Sequence, residues 1–164
     1  MIQLKHILVA TDFSEPSGVA LDYGRELSRA FGATLHVVHA VDLLAARLPM
    51  TQGHGYDVDH LQKEVEEAGR EALGRLVTDE DRAKLHARPV VVSGLSAWDA
   101  ILDYARDHVV DLIVIGTHGR SALSRLMMGS VAERIVRTSP CPVLTVRHPE
   151  HEFLRPDALE KTTR

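Results

Sequence analysis

Three glycines and a serine near residue 120 have the types and spacing to bind an anion. Gly116 and Gly119 follow an apolar run, and Gly129 and Ser130 then open a segment with a helical pattern. Glycines let the backbone approach a phosphate closely, and a helix N-terminus offers N–H groups that lack a partner within the helix. A hydrogen bond to a charged group contributes roughly 1.5–3 kcal/mol, so three or four could supply much of the roughly 8 kcal/mol of micromolar binding. These residues therefore predict a phosphate-binding loop.

A second polar stretch, ATDFSEPS at residues 10–17, follows the first apolar run of the chain. The carboxylate of Asp12 in this stretch can contact a hydroxyl group or a metal ion. Aspartate is also a favoured N-cap residue, so these residues alone leave capping of the next helix as an equal alternative.

The common catalytic and nucleotide motifs are missing from both stretches. No GxxxxGK[ST] pattern places a lysine at β- and γ-phosphates, and no GxGxxG follows the first apolar run. A motor-type NTPase and a dinucleotide dehydrogenase are thus disfavoured, and Arg120 is the nearest substitute cation. The nearby serines have no adjacent histidine and Cys141 lies between prolines, so no activated nucleophile and no catalytic residue are predicted. Any hydrolysis is expected to be slow.

Ten histidines raise the question of a metal site. The densest group, HGYDVDH at residues 54–60, begins in a stretch at 42–57 whose Pro and Gly residues predict an irregular loop without fixed ligand spacing. His36 and His39 are three apart on a predicted strand, so their side chains point to opposite faces and cannot chelate together. No metal site is predicted, and His118 is expected either near a phosphate or in solvent.

Strands and helices must alternate to position these residues. Short apolar runs predict strands at Leu4–Ala10, Thr34–Val41, Ala87–Gly94, Asp111–Gly116 and Val143–Arg147. Apolar residues at helical spacing predict four helices between these strands. Their inner faces are expected to be Val19, Tyr23, Leu27 and Ala30-Phe31 in the first, Leu61, Val65, Ala68, Ala72 and Leu76 in the second, Ala97, Ala100, Ile101, Tyr104 and His108 in the third, and Ala132, Ile135 and Val136 in the fourth. Ser96 with Asp99 and Ser130 with Glu133 resemble capping boxes, Gly32 is placed to end the first helix, and a charged connection after Val77 allows a further helical turn. The predicted fold is α/β, a doubly wound five-stranded parallel sheet with helices on both faces.

In such a sheet a ligand binds beyond the carboxyl ends of the strands, where the strand order reverses. With the order 3-2-1-4-5, that point lies between the first and fourth strands. The stretch at 10–17 and the glycine stretch at 116–130 border it, so both candidate loops are expected at one site.

Composition limits the class of protein. The 164 residues are 45% apolar and 26% charged, which predicts one domain, placed at 1–147, with a charged tail at 148–164. A net charge of -4 without a basic stripe disfavours nucleic acid as a partner. No apolar stretch approaches the roughly 20 residues of a membrane span and no signal peptide is evident, so a cytoplasmic location is expected. The single cysteine excludes an internal disulfide.

The spacing Gly-x2-Gly-x9-Gly-Ser, with ILVATDFS near the start and SPCPVLTVR near the end, resembles the ATP-binding branch of the universal stress protein family over about residues 3–147. The resemblance implies homodimers joined through the last strand, Val143–Arg147, and ATP held between the two loops. The nucleotide contacts that it implies are Ala10, Thr11 and Asp12 beside the base and ribose, Val41 at the adenine, and Gly116, Gly119, Gly129, Ser130 and Val131 around the ribose and phosphates. Thr117, His118 and Arg120 complete the expected site.

These patterns together predict an ATP-binding stress-response regulator, with Mg or Mn accompanying the nucleotide. Occupancy would order the segment between Gly119 and Gly129 and change the surface shown to an unknown protein partner. Two alternatives remain open: an interaction module of the same fold that binds no nucleotide, and a slow nucleotide hydrolase.

Overall fold

Short runs of apolar, mostly β-branched residues form one parallel sheet in the computed structural model, which describes residues 2–44, 57–117 and 128–148. The strands are β1 His6–Ala10, β2 Thr34–Asp42, β3 Arg88–Gly94, β4 Leu112–Gly116 and β5 Val143–Val146. Their order across the sheet is β3-β2-β1-β4-β5, and all neighbours are parallel. The predicted fold class and strand order are confirmed.

Helices cover both faces of this sheet. Within the described residues they are α1 Glu15–Phe31, α2 Val58–Leu76, α3 Asp79–Leu85, α4 Ala97–Asp107 and α5 Ser130–Thr138. The first three pack over one core, and α4 and α5 pack over the other. Alternate residues of each central strand serve the two cores, which is why these strands are almost continuously apolar. None of these helices combines the length and apolar character that crossing a bilayer requires.

The buried face of α1 differs from the predicted one, because it consists mainly of small residues. Tyr23 and Phe31 are 41% and 44% exposed, whereas Gly24 and Ser28 are buried. A Cβ atom at Gly24 would stand 2.2 Å from a methyl group of Val9. The helix therefore lies close to the sheet at Gly24, while Tyr23 and Phe31 turn outward.

Two other predicted faces need a similar correction. Leu61 and Val65 of α2 are 38% and 41% exposed, and the residues that this helix buries are Gly69 and Leu73. Val136 of α5 is 45% exposed, because the helix turns its neighbour Ile135 fully into the core. The apolar periodicity predicted the helices, but it assigned several exposed residues to their buried faces.

A buried ion pair joins α1 to α3. Arg25 Nη2 lies 2.8 Å from Asp81 Oδ2, and Asp81 is 3% exposed. Burial opposes ionisation of Asp81, but hydrogen bonds from Arg25 and Thr78 hold its pKa below the ordinary value of 3.8. Thr78 and Asp81 also form the capping box of α3. Long-range pairing therefore fixes this short, charged helix, which the sequence predicts only as a further turn.

The two predicted capping boxes do not form. Ser96 is the N-cap residue of α4, but its side chain makes no capping hydrogen bond. Ser130 is the first residue of α5 rather than its cap, because Gly129 takes that position and makes the chain turn into the helix one residue earlier. Glu133 instead pairs with Arg137 at 3.0 Å.

Candidate functional site

A pocket of about 210 Å³ opens at the carboxyl ends of β1 and β4, where the strand order reverses. The sequence-predicted residues that the structure brings together in its wall are Ala10, Thr11, Asp12, Gly116, Thr117, Gly129, Ser130 and Val131. Three further predicted positions, His118, Gly119 and Arg120, lie outside the described residues, as do 45–56 in the loop after β2 and the tail from 149 onward.

The floor of the pocket is apolar and is formed by alanine and isoleucine side chains. Ala10 and Ile115 contribute from the sheet, and Ala97 and Ile101 contribute from α4. A flat apolar group can lie on such a floor without displacing a bulky side chain.

Ala40, rather than the predicted Val41, lines the pocket from β2. Successive side chains of a strand alternate between faces, and Ala40 shares the α4 face with Val38. The side chain of Val41 therefore points to the other face, where it is 7% exposed. The alternation from Val38 would have identified Ala40 from the sequence.

The N-terminus of α5 forms the rim. Gly129 is its N-cap residue, with φ -61° and ψ 145°, and no side chain caps it. Gly129 N donates to the carbonyl oxygen of Thr117 at 2.7 Å, which ties the rim to the end of β4. The first amides of a helix have no partner within the helix, so Ser130 and Val131 present N–H groups at an edge of positive potential.

Gly116 has a different structural role from the one expected of a phosphate-loop glycine. A Cβ atom there would lie 3.0 Å from the carbonyl oxygen of Pro16 and 3.3 Å from the Ser17 nitrogen. The missing side chain thus lets the first turn of α1 approach the end of β4. This close approach brings the two pocket loops together.

Asp12 both lines the pocket and shapes the turn into α1. Its Oδ1 accepts a hydrogen bond from Ser14 N at 3.1 Å and another from the Ser14 hydroxyl. Ser14 is the N-cap residue of α1, so Asp12 supports the cap residue instead of being the cap. Among the lining residues that the structure describes, Asp12 is the one with a formal charge. In the described part of the site, the groups that can bind an anion are therefore main-chain amides and the hydroxyl groups of serine and threonine.

Trp98 lies beside the pocket on α4, directly after the lining residue Ala97. Its ring packs partly buried against the core beneath the pocket, and the guanidinium carbon of Arg134 on α5 stands 5.8 Å from the ring centroid. This contact connects the two helices that flank the pocket.

A cluster of polar side chains is buried near the amino ends of β1 and β2. His36 is fully buried, with its Nε2 3.1 Å from His6 Nδ1 and its Nδ1 2.8 Å from the Tyr104 hydroxyl. Tyr104 stacks on His108 with ring centroids 3.9 Å apart. Burial, together with the charge of the nearby His6, Arg88 and His108, lowers the pKa of His36 to about 4. The cluster is at the end of the strands opposite the pocket.

Within residues 2–44, 57–117 and 128–148, no three side chains of His, Cys, Asp or Glu converge to hold a metal ion. Cys141 is half-buried, and burial raises the pKa of its thiol, so a reactive thiolate is not favoured there.

Comparison with known proteins agrees with this architecture. The model of the universal stress protein family matches residues 3–147. A universal stress protein of Methanocaldococcus jannaschii is 32% identical over 150 residues, which are 90% of this chain and 85% of that protein. A solved structure of a family member from Burkholderia pseudomallei has a TM-score of 0.67 and 31% identity, with coverage of 87% of this chain and 95% of that chain.

A universal stress protein solved in complex with cAMP is also similar. It has a TM-score of 0.60 and 25% identity, with coverage of 88% of this chain and 98% of that chain. The family model alone spans most of the chain and includes both loops of the pocket. The protein belongs to the universal stress protein family.

Proposed function

We propose that this protein binds ATP in the pocket between β1 and β4 and acts as a nucleotide-dependent regulator in the stress response. The observation that carries the proposal is the pairing of a small apolar floor with the uncapped N-terminus of α5 at the point where the strand order reverses. The similar protein solved with cAMP supports an adenine nucleotide as the ligand.

The chemistry of the pocket fits the two ends of such a ligand. An adenine ring is flat with apolar faces, and we assign it to the floor at Ala10 and Ala40, beside the main chain of Val41. Asp12 and Thr11 can accept hydrogen bonds from ribose hydroxyl groups. The phosphates belong at Gly129, Ser130 and Val131, where helix amides donate to anions.

We propose that the predicted Mg or Mn ion binds together with the nucleotide. The described residues offer no preformed metal cluster, so Mg or Mn would be held mainly by phosphate oxygens. Such an ion would neutralise phosphate charge near Asp12, the acidic residue of the described wall. His118, Gly119 and Arg120 remain proposed contacts of the phosphates.

The described lining residues include no histidine, cysteine or lysine, so we propose at most slow hydrolysis. Occupancy would instead change the segment between Gly119 and Gly129 and thereby the surface offered to a protein partner. A turnover well above about one per minute with magnesium would favour an enzyme instead.

Titration calorimetry with ATP, ADP, AMP and cAMP tests the ligand. A Gly129→Val variant should fold normally, since φ -61° and ψ 145° suit a β-branched residue, but its side chain should block the approach of the phosphates. We expect loss of measurable ATP binding in this variant and a smaller loss in Gly129→Ala. Unchanged ATP affinity in Gly129→Val would contradict the assignment of the phosphates.

Asp12 offers a second test with a matched pair. An Asp12→Asn variant keeps an oxygen that can accept from Ser14 N, whereas Asp12→Ala loses it. If the carboxylate contacts ribose, both variants should weaken ATP binding by several-fold. If Asp12 only shapes the turn, Asn should bind like the wild type. In the interaction-module alternative, ATP would not raise the melting temperature of the wild type at all.

We also propose a homodimer formed through β5. This strand is at one end of the sheet, and its sequence VLTV is too apolar for an open edge. Ile113 N donates to the Pro142 carbonyl and Thr117 N donates to the Val146 carbonyl, so the main-chain groups of Thr145 point to the open edge.

A Thr145→Pro variant removes one outward N–H group without touching the ladder to β4. We expect it to be monomeric in light scattering, with Thr145→Ala as a dimeric control. A monomeric wild type, or a dimeric Thr145→Pro variant, would refute the proposed interface.

A further inference from the structure

His39 holds the pocket loop Thr11–Phe13 from the opposite face of the sheet. Its Nδ1 lies 2.9 Å from the carbonyl oxygen of Thr11. On β2 the side chains of Val38 and Ala40 face the pocket side, so the side chain of His39 between them faces α1 and α2. His39 is not among the residues that line the pocket. It therefore contacts the loop without occupying the site.

This contact defines where the imidazole carries its hydrogen. A carbonyl oxygen can only accept a hydrogen bond, so the hydrogen must be on His39 Nδ1. The neutral ring is then the Nδ1–H tautomer, and its Nε2 is an acceptor.

The ring of His39 is confined on two sides. Its centroid is 4.5 Å from that of Phe13, at an interplanar angle of 43°. A Cβ atom at Gly69 of α2 would be 3.1 Å from His39 Cδ2, so glycine at residue 69 helps the helix to lie close over the ring. Phe13 has φ 64°, a left-handed conformation that is rare for an aromatic residue and persists only where neighbouring contacts enforce it.

A chain of hydrogen bonds fixes the other side of the loop. Phe13 N donates to Thr11 Oγ1 at 3.0 Å, and Ser17 Oγ donates to the carbonyl oxygen of Ser14 at 2.8 Å. Thr11 Oγ1 and Ser17 Oγ are 3.1 Å apart, so the threonine hydroxyl donates to the serine. The side chain of Thr11 is thus tied to α1, while its carbonyl group is tied to His39.

The C=O and N–H groups of a trans peptide point in opposite directions. When His39 fixes the Thr11 carbonyl on the α2 side of the sheet, the N–H of Asp12 is directed to the side that carries the pocket. We propose that His39 is a positioning residue of the nucleotide site, which sets the orientation of the Thr11–Asp12 peptide through its Nδ1–H group. This inference rests on the proposed function.

Two variants separate the hydrogen bond from the packing of the ring. His39→Phe keeps a ring between Phe13 and α2 but has no donor, whereas His39→Asn loses the ring and places an N–H donor near the position of Nδ1. In calorimetry with ATP we expect His39→Phe to raise Kd about tenfold and His39→Asn to stay within about threefold of the wild type. Melting temperatures without ligand should show the reverse order, because they depend mainly on packing. His39→Phe, which keeps a ring, should melt at a higher temperature than His39→Asn.

Long-range ¹H–¹⁵N spectra of the neutral His39 ring provide a readout that does not depend on ligand. We expect a protonated Nδ1 and an unprotonated Nε2. The inference is overturned if the ring has the Nε2–H tautomer, or if His39→Phe binds ATP as tightly as the wild type. If the wild type binds none of ATP, ADP and AMP, the proposed function fails, and the tautomer still decides whether His39 holds the loop.

Discussion

Acidification should destabilise the protein through the buried His36. In the folded chain its pKa is about 4, below the ordinary value of 6.5. Between these values the unfolded chain binds a proton that the folded chain does not bind, so stability falls as the pH decreases through this window. The difference between 6.5 and about 4, at about 1.36 kcal/mol per pKa unit, corresponds to about 3 kcal/mol. That loss is a large part of the roughly 5–15 kcal/mol by which domains are stable.

Burial and the charge of three neighbouring groups make protonation of His36 unfavourable. His6 and Tyr104 are its hydrogen-bond partners. Arg88 is a nearby positive charge, and His108 adds another when it is protonated. A protonated imidazole would need two acceptors, and His6 can accept only while it stays neutral. The pKa of His36 therefore depends on the whole cluster, and His36 is the buried residue at its centre.

Urea unfolding between about pH 7 and about pH 4.5 measures the effect. Wild type should lose about 2 kcal/mol more than a His36→Gln variant over this range, because a pH of about 4.5 is still above the folded pKa of about 4, and this holds even if that variant is less stable at pH 7. His60→Gln is the matched control, because the side chain of His60 is 66% exposed and its removal should leave the slope unchanged. Parallel profiles for wild type and His36→Gln would refute the assignment of the pKa to burial of this ring.

Three further predictions concern stability and are checked by urea unfolding at neutral pH. Gly24→Ala should cost about 1–3 kcal/mol because its Cβ atom has no room, whereas Gly18→Ala in the same helix meets no atom within 4 Å and should stabilise by about 0.5–1 kcal/mol. Asp81→Asn should cost about 3 kcal/mol, since Arg25 would then keep a poorly compensated charge. Ser28→Ala should be neutral or stabilise by about 1 kcal/mol, because the buried Ser28 hydroxyl has no hydrogen-bond partner in the described structure. Equal losses in both glycine variants, a neutral Asp81→Asn or a clearly destabilised Ser28→Ala would each contradict its rationale.

The strands and their order could be predicted because a parallel sheet buried on both faces requires apolar runs, and such runs are short and distinct in this chain. Predicted and observed strand ends differ by at most two residues, as at β1, which begins at His6 rather than Leu4. The helical faces were harder to predict. Periodicity weights bulky residues such as Tyr23, whereas the face that α1 buries depends on how closely the helix approaches the sheet at Gly24.

The candidate site followed from the sequence to a similar degree. The two loops meet as expected, because strand order alone places them together. The role of Gly116 could not be predicted, since its neighbour Pro16 is a hundred positions away in the sequence. The same holds for His39, whose bond to Thr11 joins β2 to the loop after β1. Contacts over such separations leave no local pattern.

The position of Trp98 gives the protein an internal optical probe. The chain contains one tryptophan, so its emission comes from a single place, next to the pocket and under the guanidinium group of Arg134. A ligand that moves α5 relative to α4 would change the polarity around the indole and shift its emission maximum. Stopped-flow fluorescence of the unlabelled protein could therefore time the arrival of the ligand and the response of the helices as separate kinetic phases.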